Sequence, residues 1–294
     1  KFWGSLAAGS TNVSLISTIN SWYASEHGQS SSKAQIKGRI YTALELFTNR
    51  NLDLYITVSE KDRQALLRSN IPSDSIELIY NAVNFDADSI PSDPNGLRKK
   101  FNLPSNSLIC TAVGRLVPVK GYDLLIDAIK QIAAQVPQLV CLIVGEGECM
   151  NDLSTQIEAA GLKDRVILTG YQDRNNVMTI LKSSDIFAMP SRYEGTPIAL
   201  LEAAALGLPI LAAASGGIPE LVTDQEHALL VQPNNPTALA TGLLKLCSEH
   251  EYARKLGNNA QQRIRTTFDL NTQIQNTFLA YQKALDRHNK KKKK

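Results

Sequence analysis

Downstream of residue 107, apolar stretches of four to six residues alternate with segments whose apolar positions recur every three or four residues. Gly, Pro or polar clusters mark each change. Short apolar runs framed by turn formers read as strands, and their alternation with amphipathic helices reads as a parallel sheet covered by helices. The expected strands are Leu108 to Val113, Leu139 to Val144, Val166 to Thr169, Asp185 to Met189, Pro209 to Ala213 and Ala228 to Val231. Tyr122, Leu125, Ile126, Ile129 and Ala133 form the apolar stripe of the first intervening helix. In such a doubly wound α/β domain, ligands sit in the crevice beyond the carboxyl ends of the strands. Residues just after each strand are therefore where chemistry is to be sought.

Upstream, Val13 to Thr18 and Leu54 to Val58 read as two further strands around a helical stretch at Ile40 to Phe47. The turn formers Pro91 to Gly96, followed by Leu103-Pro104, read as a connection. The pattern thus predicts a partial N-terminal domain with its linker over 1–96, a doubly wound domain over 97–268, and a C-terminal helix with a polylysine tail over 269–294. The helical pattern Asn271 to Arg287 is expected to pack back across the boundary.

Composition narrows the class. With 43% hydrophobic and 20% charged residues the chain is globular, not disordered or fibrous. The net charge of +3 includes Lys290 to Lys294, and without those five lysines the body carries −2. No basic face remains for nucleic acid, and none is expected as a partner. Cys110, Cys141, Cys149 and Cys247 form no C-x-x-C pair, which suits a reducing compartment. His27, His227, His250 and His288 lack ligand spacing, so no metal is expected. Pro197, Glu202, Gly207 and Pro209 interrupt the longest apolar stretch, Thr196 to Ala214, which excludes a spanning helix there. The chain begins at Lys1 without a signal pattern and reads as part of a longer polypeptide.

Two segments carry the chemistry. Pro190 to Glu202 follows a strand and enters a helix, with seven residues between Glu194 and Glu202. Two carboxylates so placed can hold hydroxyls on separate parts of one ligand. Pro197 suits a first helical turn, and Gly195 and Thr196 leave backbone donors for an anion such as phosphate. Glu202 sits among Ile198 to Leu206, where a buried carboxylate is costly without partners. The second segment, Gly114 to Gly121, brings Arg115 and Lys120 to the end of the domain's first strand, where two cations can neutralise a diphosphate. Gly145-Glu-Gly147 begins like a dinucleotide fingerprint but lacks the third glycine, and reads more plainly as a tight turn. Gly216 to Glu220 reads equally as a turn or as a ligand loop.

These segments, with Gly207-Leu-Pro209, Gly216-Gly217, Pro219-Glu220, Asp53 to Ser59 and Asn81 to Asn84, resemble glycosyltransferase family 4. The resemblance implies the GT-B fold, in which two Rossmann-like domains face each other across a cleft, with the first domain incomplete here. It implies a retaining, metal-independent hexosyltransferase. The donor would be a nucleotide-diphosphate sugar, UDP-sugar foremost, and the acceptor a glycan or lipid-linked molecule in polysaccharide or glycolipid synthesis. No other cofactor is expected. Arg115 and Lys120 would bind the diphosphate with Gly114 beside them, Glu202 the ribose hydroxyls, Glu194 the transferred sugar, and Tyr171 would lie against the base. The implied setting is cytoplasmic and peripheral at the inner membrane face; the basic helical pattern Lys37 to Arg50 reads first as a buried domain helix and second as a lipid contact.

The family often has histidine in a Thr-x-His-Gly context where this chain reads Thr18-Ile-Asn-Ser. Asn20, the candidate acceptor-side residue, can hydrogen-bond a hydroxyl but cannot act as a general base. Two rival readings stand beside the transferase: a catalytically silent nucleotide-sugar-binding or scaffold protein, and a sugar-nucleotide epimerase of the same fold.

Overall fold

The computed structural model describes residues 13–20, 52–83 and 89–292. The stretch Ile40 to Phe47, the basic segment Lys37 to Arg50, His27 and Asn84 lie outside the described residues. In chain order the elements begin with β1 (Ile16–Ile19), β2 (Leu54–Thr57), α1 (Glu60–Arg68), β3 (Ile76–Leu78), α2 (Pro94–Lys100), β4 (Leu108–Val113), α3 (Tyr122–Ile132), β5 (Leu139–Val144) and α4 (Met150–Ala159). They continue with β6 (Val166–Leu168), α5 (Arg174–Lys182), β7 (Ile186–Met189), α6 (Ile198–Ala205), β8 (Ile210–Ala213), α7 (Ile218–Leu221), β9 (Leu229–Val231), α8 (Pro236–Ser248), α9 (His250–Thr267) and α10 (Leu270–Lys292). The chain forms two compact units: the first holds 1–82, 193–196 and 270–294, the second 83–192 and 197–269.

In the first unit β1, β2 and β3 pair in parallel in that order. The Ser59 hydroxyl caps α1 by accepting from the Asp62 N–H at 3.1 Å. The C-terminal helix α10 belongs to this unit. Its Ala280 and Ala284 are buried with Leu54, Ile56 and Ile79. Polar contacts flank that seat: Lys283 donates to Glu77, Arg287 Nη1 to Asp74 Oδ2 at 2.6 Å, and Lys291 Nζ to Asp53 Oδ1 at 2.9 Å. Lys291, expected as part of a tail, thus anchors on a buried carboxylate that also accepts from the Ser14 hydroxyl and the Leu15 N–H.

The second unit is a six-stranded parallel sheet ordered β6-β5-β4-β7-β8-β9. Alternation along β5 shows why both faces are covered. Leu139, Cys141 and Ile143 join one core with Leu125, Ile129 and Leu243, while Val140, Leu142 and Val144 join another with Leu97, Ile109 and Ile180. Each such buried side chain contributes about 1.5–3 kcal/mol. Cys110 and Cys141 face each other in register between β4 and β5 as small buried apolar groups. Burial pushes the nearby Cys247 thiol up to about 12.

The division between the units falls after Ala82 rather than after residue 96. Asp93 N donates to Ser183 Oγ at 2.9 Å, Ser92 Oγ to the Lys182 carbonyl, and Leu97 is buried in the second unit's core. The turn formers at 91–96 therefore open α2, with Asp93 as its cap, rather than linking two bodies.

Candidate functional site

The strand order of the second unit reverses between β4 and β7, so the loops after these two strands flank its switch point, where ligands of such sheets bind. The first loop runs from Gly114 to Gly121. Leu116 is fully buried and fixes it: its N–H donates to the Glu146 carbonyl, and its own carbonyl accepts from the Cys149 N–H, both at 2.9 Å. Arg115, just before that anchor, is exposed. Lys120 closes a short turn over Pro118–Lys120, and its stem lies beside Gly114, where a β-carbon would sit 3.4 Å from Lys120 Cε and 2.8 Å from the Tyr122 hydroxyl. Gly114, Arg115 and Lys120 thus share one loop, the two cations on either side of its buried anchor.

The glycines after β5 have a structural role. A β-carbon on Gly145 would strike the Gly114 carbonyl, and one on Gly147 the Leu116 carbonyl. The pair lets two loops pack backbone to backbone, which supports the plainer reading of that segment as a turn.

After β7 the chain passes through Pro190, Ser191 and Arg192, and then four residues, Tyr193–Thr196, belong to the first unit. There the Tyr193 hydroxyl donates to Asp62 Oδ1 at 2.8 Å, and the Thr196 hydroxyl donates to the Val58 carbonyl. Asn81 Nδ2 donates to the Thr196 carbonyl at 2.9 Å. A β-carbon on Gly195 would meet the Asn20 carbonyl. Glu194, buried, therefore stands at the carboxyl ends of β1 and β2 in the same unit as Asn20, whose residue is exposed. The Thr196 hydroxyl and carbonyl are engaged within the first unit; the donors expected to serve an anion ahead of α6 are the backbone N–H groups of Gly195 and Thr196. Pro197 precedes the first helical residue as the cap of α6, one position earlier than expected.

Glu202 lies in α6 with Leu201 and Ala203 fully buried beside it, and its side chain is 10% exposed. Burial raises its pKa, and Arg174 opposes that shift. The Arg174 Nη2 to Glu202 Oε1 distance is 3.5 Å. Arg174 opens α5, where a cation opposes the helix dipole; that unfavourable placement was the available sequence signal for it. After β8, the Ser215 hydroxyl donates to the Ser191 carbonyl at 2.8 Å. The Leu221 and Glu220 carbonyls accept from Arg263, which braces α7 behind Gly216 and Gly217 at the same sheet end. Tyr171 follows the edge strand β6 and is 70% exposed.

The structure thus brings Gly114, Arg115, Lys120, Pro197 and Glu202 into the second unit, and groups Glu194, Gly195, Thr196 and Asn20 in the first. Among the described residues no group of three or more His, Cys, Asp or Glu is arranged to hold a metal, and no helix is long and apolar enough to cross a membrane.

Residues 95–263 match the family model for glycosyl transferases group 1, and residues 2–87 the one for glycosyltransferase family 4. The chain is 30% identical over 79% of its length to the UDP-Gal:alpha-D-GlcNAc-diphosphoundecaprenol alpha-1,3-galactosyltransferase of Escherichia coli. It is 30% identical over 74% of its length to the GDP-mannose-dependent alpha-(1-6)-phosphatidylinositol monomannoside mannosyltransferase of Mycolicibacterium smegmatis. It spans 60% and 58% of the length of those two relatives. Among solved structures, Anabaena HepE in complex with UDP and glucose superposes with a TM-score of 0.80 at 26% identity, over 95% of this chain and 74% of that one. Sucrose-phosphate synthase from Thermosynechococcus elongatus gives 0.79 at 25%, over 95% and 70%. The fold is GT-B, as it is in these neighbours.

Proposed function

The chain belongs to the group 1 glycosyl transferases, and from that premise we propose that it is a retaining, metal-independent hexosyltransferase using a nucleotide-diphosphate sugar, UDP-sugar foremost. The observation that carries this reading is that Arg115 and Lys120 lie on the β4–α3 loop at one side of the switch point, while the loop at its other side leads into α6 and the buried Glu202. Two cations there suit a leaving diphosphate, whose developing charge they stabilise as the glycosidic bond breaks. Glu202 accepts hydrogen bonds from the ribose hydroxyls, and Glu194 from the transferred sugar. The N–H groups at the start of α6, after Gly195, Thr196 and Pro197, face the phosphates, and Tyr171 covers the base.

The HepE complex with UDP-glucose and the UDP-Gal-dependent relative favour uridine as the base. Relatives whose acceptors are diphosphoundecaprenol-linked and phosphatidylinositol-linked favour a lipid-linked glycan acceptor in glycolipid or polysaccharide synthesis, met peripherally at the cytoplasmic membrane face. Asn20 then meets the acceptor as a hydrogen-bonding residue, not as a base.

Calorimetry of the full chain against UDP, GDP and ADP tests the donor site, with Arg115→Ala and Glu202→Ala as controls. Binding of one nucleotide series that both substitutions weaken at least tenfold is the expected result. A folded protein that binds none of the three would overturn the reading. Sugar transfer to a lipid-linked acceptor then separates the transferase from a silent binding protein.

A further inference from the structure

The β4–α3 loop carries both proposed diphosphate-binding cations, so its position governs what they can reach. One side of it is not packed: a cavity of about 230 Å³ lies against Val117, Pro118, Tyr122, Asp123, Cys149 and Arg192. Leu116 anchors the start of the loop, but the turn Pro118–Lys120 beyond it borders this space. What holds the turn in place comes from the opposite side of the switch point. Arg192, on the loop after β7, places Nη1 2.9 Å from Asp123 Oδ1 and Nη2 2.6 Å from Asp123 Oδ2, a two-pronged fork. Nη1 also donates to the Pro118 carbonyl at 2.5 Å, and the Arg192 backbone N–H donates to the Val119 carbonyl at 2.7 Å. Gly121 completes the seam: it adopts φ +68°, and a β-carbon there would run into the Pro190 carbonyl.

We propose that Arg192 is a positioning residue for donor binding: through Asp123 and the Pro118 and Val119 carbonyls it fixes where Arg115 and Lys120 stand, without itself touching the diphosphate. This rests on the donor site proposed above. The hydrogen bond to Asp123 raises the Arg192 pKa above its ordinary value against the opposing effect of burial, so the guanidinium stays charged. Both partners are partly exposed, at 32% and 43% of their side chains, and such pairs contribute little to folding. Their geometry nevertheless favours the planar guanidinium, because a lysine ammonium, a point charge on a flexible stem, cannot reproduce the two parallel N–H···O bonds of the fork. A residue of small worth to folding that ties two ligand loops together is expected to act on the ligand.

The test compares UDP with UMP on the full chain, by calorimetry, for wild type, Arg192→Ala, Arg192→Lys, Asp123→Asn and the Arg192→Ala/Asp123→Asn pair. Circular dichroism melting first establishes that each is folded. Arg192→Ala is expected to weaken UDP about tenfold while UMP, lacking the terminal phosphate, changes less than twofold. Arg192→Lys recovers only a minor part of the loss, and the double substitution is no worse than Arg192→Ala alone because both remove the same contact. In the absence of nucleotide, amide exchange at Lys120 and Gly121 rises in Arg192→Ala while β5 stays protected. Equal losses for UDP and UMP, additive losses in the pair, or unchanged exchange at Lys120 and Gly121 would each overturn the proposal. A wild type that binds no nucleotide overturns the donor site itself, and the exchange measurement still reads the loop independently.

Discussion

Replacing Glu202 with glutamine separates two accounts of a buried carboxylate. If it is a structural ion-pair partner of Arg174, neutralising it weakens the fold. If it is held for a ligand, the empty protein loses nothing. The geometry favours the second outcome. The pair is long at 3.5 Å, and Arg174 is 68% exposed, so the attraction is worth at most about 1 kcal/mol. Burial acts the other way and raises the carboxyl pKa above its ordinary 4.5. A carboxyl with a raised folded pKa gives stability that is fully present below the unfolded value and lost as pH rises through the folded one. Above that folded value Glu202 therefore costs the empty protein stability, and the isosteric amide removes that cost. Glu202→Gln should melt at or above the wild-type temperature, by about 2–4 °C for each kcal/mol gained. It should also flatten the loss of stability as pH rises above 4.5 toward the raised folded value. Ligand binding moves oppositely. A hydrogen bond to a charged acceptor contributes about 1.5–3 kcal/mol, roughly twice a neutral one. Losing charge assistance on two ribose hydroxyls is worth about 2–3 kcal/mol, or roughly 30- to 150-fold in UDP affinity. Scanning calorimetry from pH 5 to 8, with titration calorimetry of UDP at pH 7, measures both. A fall of more than about 3 °C in the empty variant with unchanged UDP affinity would refute the reasoning.

Four further outcomes are expected. Phe187 is fully buried in β7, and Phe187→Ala should cost about 3–5 kcal/mol in urea unfolding. Gly121→Ala meets both a left-handed backbone and the Pro190 carbonyl; it should lose about 1–3 kcal/mol and weaken UDP, and wild-type values for both would show that the seam can yield. Burial tends to raise the Asp53 pKa, but hydrogen bonds from Lys291, Leu15 and Ser14 outweigh it and hold the group below its ordinary 3.8. Its stabilisation is thus present above 3.8 and lost as pH falls through the folded value, so Asp53→Ala should cost about 1–3 kcal/mol at pH 7, with the gap closing in acid denaturation. Ellman's reagent should find Cys149 first in the native protein and reach Cys110, Cys141 and Cys247 only on unfolding; a native titre above one thiol contradicts the burial.

The second unit was legible because its strands are apolar runs cut off by Gly, Pro or polar residues. β4 and β5 fall where the pattern put them, and β6 to β9 differ by a residue at one end. β3 escaped because Ile76-Glu77-Leu78 is three residues long with a charge at its centre. The site divides along the same line. Arg115, Lys120 and Glu202 stood out as candidates because each directly follows or lies beside a readable strand or helix. Arg192 with Asp123, 69 residues apart, could not, because nothing local marks a pairing made by folding. Nor does anything near Tyr193–Thr196 indicate that these residues join Val58, Asp62 and Asn81 in the first unit.

The seating of α10 on the first unit has a consequence for synthesis. Lys283, Arg287 and Lys291 meet Glu77, Asp74 and Asp53 across separations of 206, 213 and 238 residues. A ribosome adding roughly 5–20 residues per second needs about 10–50 s to travel from Asp53 to Lys291. The whole of the second unit emerges in that interval and can close on the nascent chain. The sheet of β1, β2 and β3 must wait for the helix that covers Leu54, Ile56 and Ile79. A sheet made before the second unit is thus completed after it, and its uncovered face is where a nascent-chain chaperone would find its purchase.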